Sequence, residues 1–314
     1  MSGSLNQRAK SVADVMQAAA GEWRIEPHDI DGATILDCGV KASGGIAAGL
    51  GVARVCLADL AAVTLQPGDD SSLGLPRVQV VTDQPVRACM ASQYAGWQIA
   101  SGKYFAMGSG PMRAIYGKEK LFDDIGHREA SPVAVGVLET SKLPAAEIIG
   151  YLCERLNLPP TSLTLLAART ASLAGNLQVV ARSLEMALHK LHELKFDLRR
   201  VVSGFATAPL PPPAADDLAA IGRTNDAILY GGQATVWVDT DDDELASVGP
   251  KVPSCSSTEF GALFGELFAR YQDFYKIDPL LFSPARIVFC NRRSGRVQAF
   301  GKLEPEIVRR SFGC

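Results

Sequence analysis

Residues 132–168 read PVAVGVLET SKLPAAEIIG YLCERLNLPP TSLTLLAA. Pro132 to Glu139 alternates as a buried strand, and a helix is expected from about Pro144 to Asn157. A second apolar run, Ser162 to Ala168, is again strand-like. Strand, helix, strand in close succession places the chain in the α/β class, not in an all-α or all-β one.

The same alternation extends outward. Downstream, a long helix is expected around Ser172 to Leu194, followed by a strand at Arg200 to Phe205. Upstream, Ala33 to Val40 and Val78 to Asp83 read as strands, with Pro85 placed to begin a helix, where its missing N–H costs nothing. Lys103 to Met107 is strand-like and runs into Gly108-Ser109-Gly110-Pro111. Beyond the proline-rich connection Ala208 to Asp217, a helix is expected near Asp217 to Tyr230 and a strand at Ala234 to Asp239. A helix at about Thr258 to Asp273 comes next. A hairpin follows, Arg286 to Asn291 returning through Arg296 to Phe300 over a Ser294-Gly295 turn. The proline-rich run suggests two α/β domains, approximately 1–207 and 208–314, the first of which could be discontinuous.

With 314 residues, 47% hydrophobic and 21% charged, core formation is not limited by size. A formal net charge of -3 and only short basic pairs, Arg292-Arg293 and Arg309-Arg310, argue against a nucleic-acid partner. No apolar run approaches the roughly 20 residues of a membrane helix, and MSGSLNQRAK has no apolar core of a leader. The seven cysteines are scattered without a Cys-x-x-Cys pair, which fits reduced thiols in the cytoplasm better than zinc or disulfides.

Several motifs read more simply than they first suggest. The glycines at 44, 45, 49 and 51 lack both the phosphate-loop ending and the ordered dinucleotide fingerprint, so close helix packing is the simpler reading. Gly108-Ser109-Gly110 is not a nucleophile elbow, although its N–H groups could meet a ligand oxygen. His189 and His192 with Glu185 could in principle hold a metal, but no second Glu-x-x-His accompanies them.

The expected helix around Ser172 to Leu194 carries Arg182 and Glu185, three residues apart and so on one face. Such a pair is ordinarily a surface salt bridge. Here Ala171 to Ala181 contain no charge, so the helix enters as a segment covered on several sides. Desolvation would favour the neutral form of Glu185, and a neighbouring guanidinium the charged one; the spacing leaves the balance open.

Longer blocks narrow the reading. ARTASLAG at 168–175 and VARSLE at 180–185 resemble the central motif of the methenyltetrahydromethanopterin cyclohydrolases. GRTNDAILY at 222–230, DFYKIDP at 273–279, VGVLE at 135–139 and GSGP at 108–111 are similar to further blocks of that family, in the same order. The resemblance implies a two-domain α/β subunit with a large pocket between the domains, assembled as a homotrimer. It implies no metal and no bound cofactor, a tetrahydromethanopterin derivative being the substrate. The implied activity adds water to the substrate's methenyl bridge to give the formyl derivative, a step of one-carbon metabolism. The family's catalytic arginine and glutamate correspond to Arg182 and Glu185, with Glu185 as proton acceptor and donor and Arg182 orienting the water. Ser109, Glu139, Arg223 and Asp226 are candidates for substrate binding: Glu139 for the pterin ring, and Arg223 either for an anionic tail or as a partner of Asp226. A non-catalytic pterin carrier and a metal-dependent hydrolase using Glu185, His189 and His192 are the competing expectations.

Overall fold

The computed structural model describes residues 3–70, 73–272 and 276–314. In chain order its elements begin with α1 (Leu5–Ala18), α2 (Ala20–Trp23), β1 (Glu26–Ile30), β2 (Ala33–Gly39) and α3 (Ile46–Cys56). Then come β3 (Ala62–Gln66), β4 (Arg77–Thr82), a π-helical segment (Val86–Gln93), β5 (Trp97–Ser101) and β6 (Tyr104–Ser109). The short helices α4 (Met112–Tyr116) and α5 (Lys120–Asp124) precede β7 (Ala134–Glu139), α6 (Ala146–Leu156) and β8 (Leu163–Ala168). The centre of the chain forms α7 (Leu173–Val180), α8 (Ser183–Glu193), β9 (Val201–Pro209), α9 (Asp217–Gly231) and β10 (Gln233–Val238). The last elements are α10 (Asp242–Val248), α11 (Phe264–Tyr271), β11 (Arg286–Asn291), β12 (Val297–Gly301) and α12 (Pro305–Phe312).

Two compact units share the chain, one formed by Met1–Ala61 with Arg87–Gln178, the other by Ala62–Val86 with Val179–Cys314. The chain therefore crosses between units at 61/62, 86/87 and 178/179. The junction expected at 207/208 falls instead within a strand, β9, whose register with β4 continues to Pro209 opposite Arg77. The proline run 211–213 simply follows that strand.

In the first unit the sheet order is β1-β2-β8-β7-β6-β5, with β2, β8 and β7 parallel and the outer strands antiparallel. Helices cover both faces. Leu36, Val135, Val137 and Leu166 pack beneath α1 and α3, while Ile35, Leu138 and Leu165 meet Ile148, Ile149, Leu152 and Leu156 of α6. Residues Ala134–Leu138 and the whole of β8 are consequently buried, so these strands present no solvent face. Truncating Leu152 here should cost about 2–5 kcal/mol. The glycines of α3 serve close packing, as expected: a Cβ at Gly49 would lie 2.9 Å from Leu177 Cβ, and one at Gly51 2.4 Å from Trp23. At the end of β2, the fully buried Asp37 accepts N–H bonds from Gly39, Val40, Lys41 and Ala42, which folds the loop that leads to α3.

In the second unit the order is β12-β11-β10-β9-β4-β3, antiparallel throughout except for the β10–β11 pair. Helix α8 lies on β9 and β10, and α9 on β9. Gly204 permits that approach, since a Cβ there would stand 2.7 Å from Leu184.

Two further expectations are corrected. The single helix around Ser172 to Leu194 is two helices, α7 and α8, broken at Ala181 and Arg182, where Arg182 N–H turns back to Val179 O and its backbone takes φ -84°, ψ 2°. Neither glycine nor proline marks the break, so packing imposes it. The helix expected from Thr258 starts only at Phe264, because Ser257 and Glu259 before it are tied to one another and to Asp278 beyond it. Its expected end, Asp273, lies outside the described residues, as does the start of the block 273–279.

Candidate functional site

The helix break sets the geometry of Arg182 and Glu185. They do not lie on one face of a continuous helix: Arg182 is the N-cap of α8, and Glu185 stands in its first turn. Both are buried, 7% and 5% exposed. A helix start offers unpaired N–H groups and the positive end of its dipole, surroundings that favour a carboxylate. Leu184, wedged against Gly204, and the buried Leu188 and Leu191 fix α8 on the sheet below. Farther along α8, the fully buried Lys190 donates to Ser256 Oγ at 3.1 Å and to Leu280 O, tying both residues to the helix. Burial pulls the Lys190 amine down to about 8, although Asp278 and Cys255 act against this.

The two histidines of α8 turn elsewhere. His189 Nε2 and His192 Nδ1 each lie 3.8 Å from the Glu193 carboxylate. Burial holds the His189 imidazole below its ordinary range.

Also in the second unit, Asp226 is 1% exposed and both its oxygens are engaged: Oδ1 accepts from Phe264 N–H at 2.9 Å, Oδ2 from Ser311 Oγ at 2.6 Å. It thereby ties α9 to the start of α11 and to α12. Desolvation raises its carboxyl to about 6, while those two hydrogen bonds pull the other way. Arg223, one turn earlier, donates to Pro212 O and Pro213 O at 3.2 and 3.1 Å, and so holds the proline run against α9.

In the first unit, Glu139 ends β7 beside Ala168 of β8, at the carboxyl edge of the parallel strands, where open α/β sheets hold their ligands. Its carboxylate accepts from Thr170 Oγ1, just past the end of β8. Ser109 is less open than its turn suggested. It is 2% exposed, and its hydroxyl lies 3.4 Å from both Cys56 Sγ and Val137 O. Gly110 N–H already donates to Ser92 O.

Three further polar residues were not singled out from sequence. Thr170 and Asp37 have hydrogen bonds that only the fold reveals. Asn176 of α7 is fully buried, and neither amide atom has a hydrogen-bond partner among the described residues. A lone Asn in an apolar helix was the one signal available, and such orphaned groups are rare.

These features define an α/β protein with a buried arginine–glutamate pair at a helix start, and no described helix is long and apolar enough to cross a membrane. The family model described as Cyclohydrolase (MCH) matches residues 4–312. A methenyltetrahydromethanopterin cyclohydrolase of Rhodopirellula baltica is 45% identical, covering 98% of this chain and 95% of its own. The proteins of that name from Methylobacillus flagellatus and Methanococcoides burtonii are 44% and 40% identical, over 90% and 99% of this chain and 86% and 98% of theirs. The chain belongs to this cyclohydrolase family and is an enzyme of that class.

Proposed function

We propose that the chain adds water to the methenyl bridge of methenyltetrahydromethanopterin and opens it to the formyl derivative, with Glu185 moving the proton and Arg182 orienting the water. The observation that carries this reading is the burial of both side chains at the start of α8. A pterin carrier has no use for an acid–base group in that setting.

The bridge carbon is bonded to two nitrogens that share a positive charge, so it is electrophilic before any catalyst acts. Water adds to it as Glu185 accepts one proton. Glu185 then returns that proton to the departing nitrogen as the C–N bond breaks. The remaining hydroxyl proton leaves to solvent as the formyl C=O forms, so the hydrolysis releases one proton overall. Acid–base help of this kind contributes roughly 100- to 10,000-fold, and fixing the water adds a separate gain.

Glu139, at a strand end and steadied by Thr170, is the group we assign to the N–H edge of the pterin ring. Ser109, Arg223 and Asp226 act in this reading through the turn, the proline run and the helix junction that they hold. The homotrimer implied by the family resemblance belongs to the same proposal. Mixing the protein with the methenyl substrate tests the chemistry: an enzyme abolishes the methenyl absorbance catalytically. A carrier leaves that absorbance standing at any excess of substrate.

A further inference from the structure

The hydrolysis leaves one proton to dispose of, and a proton gathered by a carboxylate as buried as Glu185 needs a route to water. Helix α8 carries suitable groups at the right interval. Glu185, His189 and Glu193 recur every four residues and so form one stripe along the helix, each a turn from the next. Exposure rises along this stripe, from the buried Glu185 to 22% for the His189 side chain and 43% for that of Glu193. Side chains lean toward the N-terminus of their helix, which carries the His189 ring back toward the turn of Glu185, and the Glu193 carboxylate back toward His189. His189 Nε2 accordingly lies 3.8 Å from Glu193 Oε1. About 1 Å of movement in the half-exposed glutamate closes that gap to a hydrogen bond. Among the described residues no group of His, Cys, Asp and Glu side chains is arranged to hold a metal ion, so the Glu-x-x-x-His spacing calls for another use.

We infer that His189 is the proton exit of the site, passing the proton released by the hydrolysis from Glu185 to Glu193 and so to solvent. This route rests on the proposed role of Glu185 and connects that carboxylate to bulk water. The protons balance. The first proton of the attacking water goes to Glu185 and returns to the departing nitrogen as the C–N bond breaks. The hydroxyl proton then follows to the same carboxylate as the formyl C=O forms. His189 accepts it on one ring nitrogen and releases a proton from the other to Glu193, from which water removes it. An imidazole suits this step because its two nitrogens can bind and release a proton in turn. Burial keeps the ring neutral near pH 7 and hence able to accept; His192 and Lys190 act in the same direction, Glu193 against it.

Steady-state turnover in weakly buffered solution tests the route, comparing wild type, His189→Ala, Glu185→Gln and a control, His28→Gln. His28 of β1 has a similar setting, 3.9 Å from Glu26. In His189→Ala, kcat should fall about 10-fold at unchanged KM, and added imidazole should restore it in proportion to its concentration. The control should turn over as wild type does. A His189→Ala variant at the wild-type rate, or a loss that imidazole leaves in place, would overturn the relay alone while Glu185→Gln is slow. Glu185→Gln at the wild-type rate would remove the chemistry beneath it as well. Should His189→Ala lose its circular dichroism spectrum, Glu193→Gln decides, since that side chain is half-exposed. A kcat lowered about threefold and recovered in concentrated buffer supports the relay; a rate equal to wild type, or a loss that buffer does not recover, overturns it.

Discussion

Replacing Asp226 with asparagine removes an ionisable group from the core of the second unit while leaving its hydrogen bonds in place. The amide oxygen can accept from Phe264 N–H and the amide nitrogen can donate to Ser311 Oγ. In the wild type, burial lifts the carboxyl from 3.8 to about 6. Between those values the folded chain holds a proton that the unfolded chain has released, so stability falls as pH rises through the window. A displacement of two units corresponds to about 3 kcal/mol, present in full below the unfolded value and lost above the folded one. Other carboxylates also titrate here, but they contribute equally to both proteins and cancel in the difference. Urea unfolding from pH 3.5 to 7, followed by Trp237 emission with Trp23 and Trp97 replaced by phenylalanine, gives that difference directly. The wild type should lose about 3 kcal/mol relative to Asp226→Asn as the pH rises. Parallel curves would refute the reasoning and place the carboxylate in contact with water.

Lys190 supplies the companion case at alkaline pH. Its amine is lowered to about 8 in the fold, so between 8 and 10.5 the unfolded chain binds the extra proton and stability rises with pH. Against Lys190→Met, urea midpoints should show about 3 kcal/mol of this gain, and a flat difference would contradict it. Gly175→Ala should destabilise by at least about 3 kcal/mol, because its Cβ would fall 1.9 Å from Arg169 O; a thermal midpoint within a degree or two of wild type would disprove that packing. Glu139→Gln should raise KM roughly 10-fold with kcat little changed, as one charge-assisted bond to the pterin ring is weakened in ground and transition states alike. A fall in kcat at constant KM would instead move Glu139 into the chemistry.

The strand–helix–strand core at 132–168 was legible because strands covered on both faces must be apolar throughout, and the stripe on α6 repeats at helical spacing. Interleaving of the units was not legible. Nothing in Ala62–Gln66 or Arg77–Thr82 states that this hairpin leaves the surrounding sheet to pair with β9, more than 120 residues later. The break at Arg182 was equally hidden, since no helix breaker marks it and tertiary packing decides it. Arg182 and Glu185 stood out through the family resemblance of the blocks around them, for a three-residue spacing alone describes any surface ion pair. The bond from Thr170 to Glu139 joins residues 31 apart and needs the parallel β7–β8 register to exist.

The central claim is that the Glu185 carboxylate carries the proton. Substrate affinity of Glu185→Gln by equilibrium fluorescence, and its turnover by loss of methenyl absorbance, measure this together. Affinity should stay within about threefold of wild type while kcat falls at least about 100-fold. A variant that binds and turns over at the wild-type rate would contradict the account.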